Sequence, residues 1–354
     1  MFYNELDLRS REQNAFIGTP PSTRRVTLLL GSLLAGNLLI WLLALILFRG
    51  QSILIATAVM AYVFGLRHAL DADHIAAIDN VTRKLVAEKQ RPLTVGLFFS
   101  LGHSTVVIIL SALVALGIMR TRHDFPVLEK MGTLVGTGVS ALFLLGIAAA
   151  NVLVLRQVLG HFRAVRGGSK IAPQGGPVGP LAGLLRPLLN SVDASWKMYP
   201  IGFLFGLGFD TATEIGLLGI AAAAAMHHLP LWGIMLFPAL FTAGMSLVDT
   251  LDGVIMSNAY GWAMIHPVRK VYYNIAMTGL SIILALVVGL LESLDVVRSQ
   301  WKLHGWFWGV IGGVTGHWET LGLLMVLLFM AGFAAALLLY RRMASDCAPI
   351  ADKR

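Results

Sequence analysis

Residues 52–75 read SILIATAVMAYVFGLRHALDADHI. No charge occurs from Ser52 to Leu66, and then Arg67, His68, Asp71, Asp73 and His74 arrive together. The stretch is long enough to cross a bilayer, which takes about 20 residues. Yet it sets two imidazoles, two carboxylates and a guanidinium where lipid is expected. Charge inside a span is costly and marks a path, a site or a paired network.

The rest of the chain fits a membrane setting. Of 354 residues, 56 % are hydrophobic and only 13 % charged, and the mean hydropathy is +0.75. A soluble domain carries about 25 % charged residues, so a soluble globule and a disordered chain are both excluded. The 37 glycines have no strict period, and one cysteine, Cys347, forms neither a disulfide scaffold nor a thiolate metal site within one chain. Apolar runs fall at 28–48, 52–75, 93–118, 131–155, 199–225, 231–257, 272–291 and 306–340. The expected fold is an all-alpha polytopic membrane protein with about eight transmembrane helices. The last run starts Gly-rich and is interrupted at His317, Trp318 and Glu319, so 305–320 reads as a broken helix or a re-entrant segment. The first 25 residues lack the apolar stretch and cleavage site of a signal peptide, and the first span is expected to stay in the mature protein.

Charge gives an orientation. The formal net charge is +8. Across alternating sides of eight spans, twenty Lys and Arg fall on one side; six (Arg49, Arg120, Arg122, Lys130, Arg298 and Lys302) fall on the other. The bias of basic residues toward the cytoplasm puts both termini there. A basic excess sorted by side of the membrane argues against nucleic-acid binding. The expected organisation is an N-terminal half at 1–155, a Gly- and Pro-containing cytoplasmic linker at 156–198 with a short interfacial helix at 181–190, and a C-terminal half at 199–354.

Four polar clusters interrupt the spans. The first runs from Arg67 to Asp79 and Asn80. At about 100° per residue His68, Asp71 and His74 share one broad side, whereas Asp73 points away from it; both Asp73 and His74 would coordinate more easily if the helix were unwound there. Imidazole with carboxylate suits first-row divalent metals. The second cluster is Gly102-His103-Ser104-Thr105. The third, Gly206–Glu214, sets Asp210 and Glu214 four apart on one face, where they repel unless a cation or proton intervenes. The fourth, Gly244–Gly253, sets Asp249 and Asp252 three apart, also facing together, and Asn258 follows. His317 and Glu319 offer a further polar pair. These residues alone leave open a polar lock between helices instead of an ion site.

A faint duplication runs through the clusters. Phe64-Gly65-Leu66 precedes Gly102-His103-Ser104, and Phe205-Gly206-Leu207 precedes Gly244-Met245-Ser246, with first residues 38 and 39 apart. The two pairs start on opposite sides of the membrane, as in secondary transporters built from two related inverted units.

Together the clusters resemble the signatures of the nickel/cobalt transporter family. Its best-known motif, a His, four residues, then Asp-His, is matched by His68, Asp73 and His74. Leu101–Val107, Leu207–Glu214 and Gly244–Gly253 resemble three further signatures. The resemblance implies a single-polypeptide permease of the bacterial cytoplasmic (inner) membrane, not an enzyme, that imports nickel, cobalt or both without an ATPase subunit. It implies no permanently bound cofactor, with lipid and the metal ion as partners. His68, Asp73, His74 and His103, with Asp71, are the expected ligands of the transported ion. Arg67, Ser104, Asp210, Thr211, Glu214, Asp249, Asp252 and Asn258 are expected in support. A guanidinium offers a metal no acceptor, so Arg67 is expected to pair with a carboxylate from another helix. Two rivals are an exporter of the same ions and an intramembrane metalloenzyme; the latter lacks a His-Glu-x-x-His motif.

Overall fold

The structure is a computed structural model that describes residues 23–88, 90–116, 124–166, 192–208, 212–226, 229–263 and 267–347. Among these the chain is helical, without a strand. In order, the helices are α1 (Thr23–Leu47), α2 (Ser52–His68), α3 (Ala72–Ala87), α4 (Val95–Ala115), α5 (Asp124–Arg166), α6 (Met198–Phe205), α7 (Ala212–Met226), α8 (Leu231–Ile234), α9 (Leu236–Ala263), α10 (Pro267–Gln300), α11 (Trp306–Thr315) and α12 (Trp318–Cys347).

Five candidate spans are long and apolar enough to cross a membrane, and seven if each of two bent pairs counts as one. One bent pair is α2 with α3, at 52°, and the other is α11 with the start of α12, at 71°. The expected interruption near His317 is therefore a sharp bend. The expected fifth span falls on two short helices, α6 and α7, with 209–211 between them outside the described residues. Where the sequence suggested a linker from 156, α5 continues to Arg166. The expected helix at 181–190 lies outside the described residues.

The bend after α2 follows from local bonding. Leu70 and Asp71 donate their backbone N–H groups to the Arg67 and His68 carbonyls, which closes a turn. Asp71 then takes an extended conformation and opens α3. The unwinding expected near Asp73 thus comes at residues 69–71, and Asp73 and His74 lie in the first turn of a new helix. From Ala72 to Leu85 almost every residue of α3 is buried. A helix enclosed on all sides is a core element, and α3 packs on α9, α10 and α12.

Two tight seams hold the helices around it. Along the first, α2 meets α9. A Cβ added at Gly65 would lie 2.0 Å from the Phe241 carbonyl oxygen, and one at Gly244 2.8 Å from that of Tyr62. Along the second, α4 meets α6. A Cβ at Gly102 would lie 1.9 Å from the Tyr199 carbonyl oxygen, and one at Gly202 2.0 Å from that of Phe99. Small residues let helix backbones approach closely where lipid gives little hydrophobic drive to associate. Outside the seams α5 and α10 run together, tied by Ser140 donating to Glu292 Oε1 at 2.9 Å. The segment ahead of α6 is held to the end of α3 by Lys84 on the Val192 carbonyl and Gln90 on the Asp193 carbonyl. Lys197 hydrogen-bonds the Asp193 carboxyl and holds it below its ordinary value.

Candidate metal centre

His68 ends α2, His74 lies in the first turn of α3, and His103 lies mid-way along α4. The bend at 69–71 turns the second imidazole back toward the first, and α4 brings His103 beside both. Ring centroids are 4.7 Å apart for His68–His74, 4.7 Å for His68–His103 and 4.9 Å for His74–His103. One nitrogen from each ring lies within 4.8 Å of the others. Phe99 packs its ring against His74 and Phe241 against His68. His74 is 0 % exposed and the other two 2 %, which puts the site out of reach of bulk water.

Carboxylates complete the site. His68 Nδ1 is 2.7 Å from Asp71 Oδ2. A carboxylate on one ring nitrogen fixes the tautomer and turns the other nitrogen to the ion. That other nitrogen, Nε2, faces His103 Nε2 at 2.9 Å, and His103 Nε2 faces Glu214 Oε1 at 2.9 Å. Two nitrogens bound at about 2.1 Å and at right angles on one ion sit about 3 Å apart. A pair at 2.9 Å is spaced for neighbouring corners of a square or an octahedron, the geometries of divalent nickel among nitrogen and oxygen ligands. His74 has no hydrogen bond to either ring nitrogen, and its Nδ1 is 3.4 Å from Asp249 Oδ2.

The remaining expected site residues spread around this core. Asp73 is half-buried and outside the imidazole triad, within electrostatic reach of His68 and His74. Ser104 is buried beside His103. Asp252 lies one turn beyond Asp249, and Asn258 is exposed. Asp210 and Thr211 lie outside the described residues. Thr213, not singled out in the sequence, sits 3.4 Å from His68 Nδ1. Arg67 pairs with a carboxylate of another helix, Glu319 of α12, at 2.5 Å. Glu319 is therefore not the partner of His317, whose Nδ1 meets the Gly313 carbonyl. Beyond the triad, Asp79 accepts hydrogen bonds from Tyr260 and Ser281. Neither partner was marked by sequence, although hydroxyls inside apolar spans are a fair signal.

A sequence model of the family described as high-affinity nickel-transport protein matches residues 54–339. The chain is 45 % identical to a high-affinity nickel transport protein of Cupriavidus necator over 90 % of its own length and 92 % of the relative's. It is 42 % identical to a nickel transporter of Mycobacterium tuberculosis, over 93 % and 92 % of the two chains. It is 39 % identical to a cobalt transport protein of Rhodococcus rhodochrous, over 80 % and 82 %. No solved structure matches.

Proposed function

The chain belongs to the high-affinity nickel-transport family, and we propose that it imports divalent nickel or cobalt across a bacterial inner membrane through the buried imidazole triad. One observation carries the reading: three imidazoles from three helices converge, unexposed, beside a helix break. Discontinuous helices around a central polar site are the build of secondary transporters. An inside-negative potential favours a divalent cation by about 4.6 kcal/mol per 100 mV. That drives accumulation without nucleotide hydrolysis. His68, His74 and His103 hold the ion, with Glu214 as an oxygen ligand. Asp71 orients His68, and Asp73 and Asp249 offset the ion's charge.

Eight crossings complete the reading, with α6 and α7 together as the fifth. An even count and the charge bias put both termini in the cytoplasm. Two inverted units account for the packing. Both halves of the broken second span, α2 and α3, pack on α9; both halves of the broken fifth, α6 and α7, pack on α4. Exchanging the two units maps one set of contacts onto the other. The repeated Phe-Gly-Leu and Gly-x-Ser steps lie at these seams, with Gly65 and Gly244 at one and Gly206 and Gly102 at the other. Relative rocking of such units exposes a fixed site to each side in turn.

Proteoliposomes test the function. With an imposed inside-negative potential and no pH gradient, purified protein is expected to accumulate labelled nickel or cobalt. No flux, or flux that follows a pH gradient and ignores voltage, overturns the potential-driven route. Cysteines placed at 160–180 and at 121–125 are expected to label from opposite sides of the membrane. Labelling from one side refutes the topology.

A further inference from the structure

Past the triad, toward the end of α3 that carries Lys84, lies a second polar cluster with no imidazole in it. Asp79 is five residues beyond His74, about 7.5 Å along the axis, and is 0 % exposed. Tyr260 of α9 donates to its Oδ1, and Ser281 of α10 to its Oδ2 at 2.9 Å. Asp252 lies across from it on α9. A Cβ at the neighbouring Gly253 would be 3.6 Å from the Ile78 side chain, so the helices touch at this level. Asp252 is within electrostatic reach of both Asp79 and Asp249. Asp249, one turn back, connects this group to His74.

Two features set this cluster apart from an ordinary polar lock. Neither carboxylate oxygen of Asp249, itself 1 % exposed, has a hydrogen-bond partner, and Oδ2 of Asp252 is likewise shielded and unbonded. Buried carboxylate oxygens without donors are expensive, and a closed lock would satisfy them. Arg83, one turn beyond Asp79, is 5 % exposed; it donates from Nη1 to Thr278, while Nε and Nη2 have no hydrogen bond. It lies within electrostatic reach of Asp79. With all three carboxylates ionised and Arg83 charged, the cluster carries two net negative charges, which one divalent cation would balance.

We propose that Asp249, Asp252 and Asp79, with the Tyr260 hydroxyl, form a second, oxygen-lined station that receives a divalent cation from the imidazole triad and passes it toward the cytoplasm. This rests on the import reading and on its orientation. Oxygen donors hold nickel and cobalt less tightly than imidazoles do, so the ion leaves the selective site for one that releases it. Asp249 lies between the two and takes part in both. Arg83 caps the charge of the station and keeps it from retaining the ion.

Equilibrium dialysis of the full-length protein in detergent, with labelled nickel alone, tests the station. Wild type is expected to bind two ions, one tightly and one roughly tenfold or more weakly. Asp252→Asn is expected to remove the weak class, slow uptake about tenfold and leave the tight class within about twofold. Asp252→Glu, which keeps the charge, is expected to restore it. His74→Ala is expected to remove the tight class and leave the weak one. Asp79 joins three helices, so Asp79→Asn is scored only on preparations that elute as wild type does, where it is expected to match Asp252→Asn. A single bound ion in wild type, or Asp252→Asn weakening the tight class as much as His74→Ala does, overturns the station and leaves the triad standing. No bound ion in wild type overturns both.

Discussion

His68→Ala and His74→Ala are each expected to abolish high-affinity uptake while the protein still inserts and elutes as a single species. The expected loss of nickel affinity is at least about 100-fold, the upper end of what removal of a mere outer-shell partner costs. The geometry explains the size. His68 Nε2 and His103 Nε2 are 2.9 Å apart, and His74 has no hydrogen bond whose loss would unfold the core. Removing either ring deletes a ligand at a site water does not reach. Asp71→Asn is expected to be milder, roughly 10- to 100-fold, because it loosens the tautomer of His68 and deletes no ligand. Binding to purified variants, with the elution profile as the folding check, decides the matter. Unchanged affinity in both histidine variants would turn the His-x4-Asp-His motif into a structural lock.

Gly65→Ala and Gly102→Ala are expected to cost about 3 kcal/mol or more each and to deplete folded protein. Overpacking a core site costs 1–3 kcal/mol when side chains can shift. Here the added methyl would lie 2.0 Å from one carbonyl oxygen and 1.9 Å from another, and backbone shifts only if whole helices separate. Gly36→Ala and Gly219→Ala are the controls. Nothing lies within 4 Å of either Cβ, and alanine is the better helix former by about 1 kcal/mol. Thermal stability in detergent is expected to fall steeply for the first pair and to hold or rise for the second. Four equal values would mean that the seams are loose.

These seams show how far sequence reading reaches. The small residues of the motifs were visible, and so was their repetition, but a glycine does not announce which carbonyl it approaches. The spacing of His68, Asp73 and His74 pointed to unwinding because no single helical face presents all three. The break falls earlier, at 69–71, because Asp71 opens a new helix and leaves Asp73 beside the triad. Period and charge locate faces, whereas partners are set by packing. Arg67 called for a carboxylate, but Glu319, 252 positions away, became its partner only when the start of α12 packed against the bend after α2 and against α3. Tyr260 and Ser281 looked like ordinary residues of apolar spans until Asp79 lay between them. Asp249 and Glu214 were legible as buried acids; that one meets His74 and the other His103 was not.

The aromatic walls of the triad bear on speed as well as affinity. With Phe99 and Phe241 against the imidazoles, an arriving ion has no room to keep its hydration shell and must exchange water for nitrogen and oxygen before it can proceed. Six-coordinate nickel gives up water more slowly than cobalt, so desolvation sets a lower ceiling on turnover for nickel even where it binds more tightly. Under competition, the ion that occupies the protein and the ion that accumulates behind it need not be the same, and selectivity measured by binding and by flux would then diverge.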